Sequence, residues 1–185
     1  MAEPIKLNLP LKREDVNGLK AGDLVLLSGT MLTGRDAAHK RLYELIQQGK
    51  ELPVDIEGQC IFYTGPSPAP PGRPIGAAGP TTSSRMDKYA PLLMDYGLLA
   101  MVGKGLRNRE VKDAIIRNGC VYLGATGGSG ALLSRCITAA KVVAYPDLGT
   151  EAIREIVVED FPAIVIIDAA GDDLYEIGPA KYARA

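Results

Sequence analysis

Cysteine is scarce and scattered. Cys60, Cys120 and Cys136 are odd in number and far apart, with no C-x-x-C spacing. That pattern argues against a disulfide framework and against a zinc or iron–sulfur site built from this chain alone. A reducing compartment fits it best. An excess of one charge is also missing: 21 Lys and Arg stand against 22 Asp and Glu, a formal net charge of -1. Nothing here attracts nucleic acid or an acidic membrane from a distance, so any anion site must rest on a few placed residues. No apolar run approaches the ~20 residues of a bilayer-spanning helix, and the opening MAEPIKLNLP has neither the charged nor the apolar region of a secretion signal. The expectation is a soluble, cytoplasmic protein with no nucleic-acid and no membrane partner. With 185 residues, 46% of them apolar, and no obvious linker or repeat, one domain over 1–185 is the simplest organisation.

What is present alternates. Ile5 to Leu9 and Leu24 to Leu27 read as strands, the second ending at the turn signal Ser28-Gly29. Ala38, Leu42, Leu45 and Ile46 then recur at helical spacing, with Asp36 suited to cap the start and Gly49 to close the end. Cys60 to Tyr63 is a short strand, and Gly65 to Pro80 is too rich in Gly and Pro for regular structure, so it is expected as an ordered loop or a lid. Helix signals resume near Ser83, and Pro91 predicts two short pieces before Gly97. Leu98 to Val102 predicts a strand, Val111 to Asn118 a helix, Val121 to Leu123 a strand, Leu132 to Ile137 a helix, and Lys141 to Ala144, Ala163 to Ile167 and Leu174 to Ile177 strands. The fold class is therefore α/β, a mixed sheet flanked by helices.

Three loops after predicted strands carry the chemistry: Thr33-Gly34-Arg35, the run GPTTSSRMD from Gly79, and Gly103-Lys104-Gly105. Open α/β sheets bind ligands beyond the carboxyl ends of their strands. If the loops meet, Arg35, Arg85 and Lys104 supply cations and Thr81 and Thr82 hydroxyls, a set suited to a small, multiply anionic ligand. Each has a plainer reading. Arg35 and Arg85 could be surface arginines, Lys104 could sit in a tight glycine turn, and Thr81 or Thr82 could be a helix cap. His39, the one histidine, lies four residues after Arg35 and could move a proton near neutral pH, or be an exposed helix residue. GATGGSG from Gly124 lacks the spacing of a phosphate loop and reads as a flexible turn or subunit contact. Asp168, Asp172 and Asp173 read as turn formers.

Read in order, SGTMLTGRDAAHKRL, IFYTGPSPAPPGRPIGAAGPTTSSRMDKYAP, MVGKG, and VVAYPDLGTEAI through VEDFPAIVIID resemble the β subunit, or C-terminal domain, of iron–sulfur class I fumarases and L(+)-tartrate dehydratases. The resemblance covers almost the whole chain, and the combination of TGRDAAHKR, GPTTSxRMD and GKG carries it. It implies a swivelling β/α domain and a hydro-lyase acting on a dicarboxylate. It also implies a [4Fe–4S] cluster supplied by a separate α subunit and not ligated here. Residue by residue, it implies that Arg35, Thr82, Arg85 and Lys104 bind the substrate carboxylates and hydroxyl. Thr81 becomes the base that takes a proton from the carbon next to a carboxylate, helped by Lys104. It leaves His39 as proton relay, orienter of Arg35, or packing residue.

The TGRDAAH wording is nearer the fumarase branch, because the tartrate branch tends to carry Cys in place of Gly34. Tartrate and mesaconate remain alternative substrates. Two other classes compete: a non-catalytic dicarboxylate-binding module, and an assembly protein that uses its glycine-rich loops as contacts. Made alone, the chain is expected to self-associate through the face meant for its partner.

Overall fold

The computed structural model describes residues 3–183. The described residues form a seven-stranded mixed sheet in the order β1-β2-β3-β4-β5-β7-β6. Its strands are β1 (Ile5–Leu9), β2 (Leu24–Thr33), β3 (Cys60–Phe62), β4 (Ala100–Gly103), β5 (Val121–Gly124), β6 (Ile137–Ala144) and β7 (Ile153–Ile167). The first five run parallel, while β7 is antiparallel to β2, β5 and β6. Because β7 pairs with β5 on one edge and β2 on the other, strands β2, β3, β4, β5 and β7 close into a ring. The rings of Phe62 and Phe161, on strands that do not pair, meet inside it with centroids 5.2 Å apart.

Side-chain alternation sorts residues between the interior and an outer layer. Phe62, Val102, Val121 and Leu123 face the interior cluster, whereas Ile61, Tyr63, Met101 and Tyr122 face outward. Both layers are apolar, which is why the central strands read as continuous apolar runs. Helices α2 (Asp36–Gln47), α3 (Ala90–Asp95) and α4 (Arg109–Asn118) cover the outer layer with Leu42, Leu93, Ala114 and Ile115. Pro91 falls in the first turn of α3, where a missing N–H breaks no bond, so the two short pieces follow as expected.

Several expectations are corrected. Ser28-Gly29 does not end β2: the register shifts there opposite β7, and the Asp160 N–H donates to Ser28 Oγ at 2.9 Å. The turn signal is a bulge within a strand. A short α1 (Arg13–Asn17) follows β1, its first turn held by the Lys12 N–H donating to Asp15 Oδ2. The helix expected over Leu132 to Ile137 is α5 (Gly130–Leu133) and a 3-10 turn, and Ile137 already begins β6. β7 starts ten residues before Ala163; Pro162 and the left-handed Asp160 interrupt its pattern without ending its pairing. Leu174 to Ile177 is not a strand but the start of α6 (Leu174–Tyr182), because Asp173 caps it by accepting from the Tyr175 N–H.

Candidate active site

The chemistry gathers at the carboxyl ends of β2, β3 and β4, where backbone bonds tie one loop to the next. The Gly34 N–H donates to the Phe62 carbonyl at 3.1 Å, and the Tyr63 N–H to the Val102 carbonyl at 2.8 Å. After Thr64 the chain makes its Gly- and Pro-rich excursion. The excursion closes at its base, where Thr64 Oγ1 donates to the Gly79 carbonyl and the Thr81 N–H to the Tyr63 carbonyl at 2.6 Å. Ile75 and Ala78 are buried, so the loop is anchored as an Ω-loop. Thr82 then forms a parallel bridge with Lys104, which places the threonine pair beside the glycine-flanked lysine.

The arginines converge on one carboxylate. Arg85 Nε donates to Asp36 Oδ1 at 2.7 Å, and Arg35 Nε lies 3.6 Å from Asp36 Oδ2. Arg35 also faces Glu151, with Nη2 to Oε1 at 3.5 Å. Asp36 therefore does not cap α2. It occupies the first helical position and points at the arginines, while Glu151 accepts the Ala37 N–H at 3.0 Å. Thr82 likewise gives its 3-10 turn no side-chain cap. Among the described residues Lys104 enters no ion pair, unlike Arg35 and Arg85, so of these three cations it is the least committed to the protein itself. Its stem runs along the GATGGSG loop, where a β-carbon at Gly127 would stand 3.5 Å from Lys104 Cδ. That loop thus borders the site.

His39 is fully buried, not exposed. Its Nδ1 lies 2.9 Å from the Arg35 carbonyl, which can only accept, so Nδ1 carries the proton. Its ring meets Tyr63 edge to face at 5.0 Å. Burial lowers the imidazole to about 4, so it is neutral near pH 7 and its geometry acts on the backbone of Arg35.

Sequence reasoning passed over the groups that hold these loops. Arg107 is buried, its Nε donating to Asp87 Oδ1 at 2.6 Å and its guanidinium stacked 4.9 Å from the Tyr122 ring and 5.5 Å from that of Tyr63. Asp87 Oδ2 accepts from the Asn108 N–H at 2.7 Å. The pair joins the TTSSRMD loop to the segment after GKG. A charged residue beside a loop reads as surface, and only burial distinguishes this one.

The described residues offer no fit for a metal cluster: no group of three or more His, Cys, Asp or Glu could hold one. Cys60 and Cys120 are buried in separate strands and turns, and burial pushes both thiols up to about 12. No helix among the described residues is long and apolar enough to cross a membrane.

Fold and site together define an α/β domain that presents cations and hydroxyls at one end of a closed sheet. The chain belongs to the fumarase C-terminus family, whose model matches residues 1–178. It is 43% identical over 179 residues to the anaerobic class I fumarate hydratase of Escherichia coli, covering 95% of this chain and 33% of that protein. Fumarate hydratase 2 of Leishmania major is 38% identical over 165 residues, covering 88% and 29%. A protein of Methanocaldococcus jannaschii named putative L(+)-tartrate dehydratase subunit beta is 36% identical over 172 residues, covering 90% and 88%. The chain spans about a third of the length of the fumarate hydratases it matches.

Proposed function

We propose that this chain is the β part of a cytoplasmic hydro-lyase that interconverts (S)-malate and fumarate, active with a partner polypeptide. The observation that carries the proposal is the Thr82–Lys104 bridge, which pairs the backbone of the threonine segment with a lysine free of ion pairs among the described residues. Arg35, Arg85 and Thr82 hold the substrate carboxylates. Asp36 fixes the separation of the two arginines, leaving the Nη groups of Arg85 to reach a ligand. His39 orients Arg35 through the backbone.

Thr81 takes the proton from the carbon next to one carboxylate, and the C–H electron pair moves into that carboxylate as its aci form. Lys104 stabilises the threonine alkoxide, without which a hydroxyl is a poor base, and the arginines stabilise the developing charge. The C–O bond on the neighbouring carbon then breaks as the double bond forms, and the departing hydroxide leaves as water with the proton returned from Thr81, which restores the alkoxide. The cluster that the family resemblance implies belongs, in this proposal, to the partner. The chemistry assigned to this chain runs through its own side chains.

A second reading has its own support: the relative named as a tartrate dehydratase beta subunit is matched over 88% of its length. One experiment separates the two. The chain and its partner, assembled without oxygen, are given malate, L(+)-tartrate and a methylated analogue, and product is followed by absorbance. Malate turning over at least tenfold faster supports the first reading, since a site that hydrogen-bonds an extra hydroxyl discriminates strongly. Preference for tartrate reverses the order, and inactivity on every dicarboxylate sinks both.

A further inference from the structure

Ser83 and Tyr122 lie outside the set of side chains assigned to substrate, yet both are buried directly beneath it. The Tyr122 hydroxyl stands 2.9 Å from Ser83 Oγ and 2.9 Å from the Gly105 carbonyl. Ser83 Oγ accepts the Lys104 N–H at 3.0 Å, and the Ser83 N–H donates to the Lys104 carbonyl at 2.9 Å. One arrangement of protons satisfies every contact. A carbonyl can only accept, so the single phenol proton goes to Gly105. The serine proton then goes to the phenol oxygen, and a serine lone pair receives the Lys104 N–H. Burial, the leading influence, raises the phenol well above its ordinary range, so that proton stays in place.

The backbone is shaped around this chain of bonds. A β-carbon at Gly103 would stand 2.0 Å from Ser83 Oγ, so only glycine lets the serine in. Gly105 has φ +84, a conformation that glycine adopts without strain. Arg107, bound to Asp87, lies over the Tyr122 ring at 4.9 Å from its centroid. Lys104 and Gly105 are thus held by bonds on the Lys104 N–H, the Lys104 carbonyl and the Gly105 carbonyl, all made by Ser83 and Tyr122. Thr81 and Thr82 immediately precede Ser83 in the chain.

We propose that Tyr122 and Ser83 are positioning residues that set the distance between Lys104 and the Thr81 hydroxyl, so that substitutions which never touch substrate impair proton removal. This inference rests on the hydro-lyase reading for its kinetic consequence but not for its structural one. A displacement of about 1 Å in a reacting pair can cost on the order of 10²-fold in rate.

The test compares Tyr122→Phe, Ser83→Ala and the double variant, each assembled with the partner. Both single variants are expected to lower kcat for malate by at least about tenfold with KM within about threefold, the signature of an interaction made in the transition state. The double variant is expected to be no worse than the poorer single one, because the two groups act as a unit. The basic rise of the kcat profile should move up by about one pH unit, since a displaced Lys104 stabilises the alkoxide less. A wild-type kcat and profile in Tyr122→Phe, or losses that multiply in the double variant, overturn the inference. Amide hydrogen exchange at Ser83 and Lys104 in the full chain provides a second measurement that needs no activity. Exchange at least about tenfold faster in Tyr122→Phe supports the clamp, and unchanged exchange overturns it. If the wild-type complex has no hydro-lyase activity while exchange responds as expected, the functional reading fails and the clamp stands.

Discussion

Arg107 and Asp87 show what burial does to a charged pair. Their side chains are 0% and 7% exposed, and they meet at 2.6 Å. Removing one partner strands the other in an apolar layer, which costs roughly 3–5 kcal/mol, whereas replacing both costs far less. Asp87→Ala should therefore lower the free energy of urea unfolding by about 3 kcal/mol or more. Arg107→Met combined with Asp87→Leu should recover much of the loss. An unfolding midpoint unchanged in Asp87→Ala would show that the pair is not holding the loops. His39 makes a second prediction at this scale, in which the sign follows from its lowered pKa. Its unfolded value of 6.5 exceeds its folded value of about 4, so the unfolded chain binds the extra proton first as acid is added. His39's contribution is present above about pH 6.5 and is lost as pH falls toward 4, a cost of roughly 3 kcal/mol. His39→Phe should flatten that acid limb, measured as unfolding free energy at pH 7 and pH 4.5; limbs of equal steepness would contradict it. The types and spacing of Arg35, Thr81, Thr82, Arg85 and Lys104 were legible in the sequence because the loops that carry them follow strands. The restraint that Asp36 and Glu151 place on the arginines was not, since it depends on segments meeting that are distant in the chain, 49 residues apart for Arg85 and Asp36 and 114 for Ala37 and Glu151.

Among the elements, strands with continuous apolar runs and helices with clear end signals declared themselves. β1, α2 and α4 lie where periodicity put them, although Asp36 does not cap α2; α4 is closed between Asn108, which accepts the Val111 N–H, and the left-handed Gly119. The long antiparallel pair escaped. β2 and β7 carry bulges, a proline and a left-handed aspartate, local features that read as turns until the partner strand is seen to pair across them. Gly29 marks a close approach of β1 to β2: its φ is +119 and a β-carbon would stand 2.4 Å from the Leu9 carbonyl oxygen. Gly29→Ala should cost at least about 2 kcal/mol through both backbone strain and displacement of β1. Thermal unfolding measures it, and a melting temperature equal to the wild type would mean that β1 yields without penalty. α6 was misread because Leu174 and Ile177 suit a short strand as well as one helical turn; the Asp173 cap decides between them.

For the molecule as a whole, closing the sheet into a ring leaves the carboxyl ends of its parallel strands as the place where loops from β2, β3 and β4 must meet. The site there is open: Thr82 and Arg85 are exposed, Thr81 and Lys104 half-buried. Relatives about three times as long carry this domain as one part of a larger protein, and the hydro-lyase reading assigns the facing wall to that remainder. The most direct test follows solvent deuterium entering (S)-malate, by NMR, with the assembled complex. Wild type should exchange the proton that Thr81 removes, Thr81→Ser should keep most of that exchange, and Thr81→Ala should lose about 10²-fold or more, the usual contribution of a placed base. Exchange at the wild-type rate in Thr81→Ala would contradict the account.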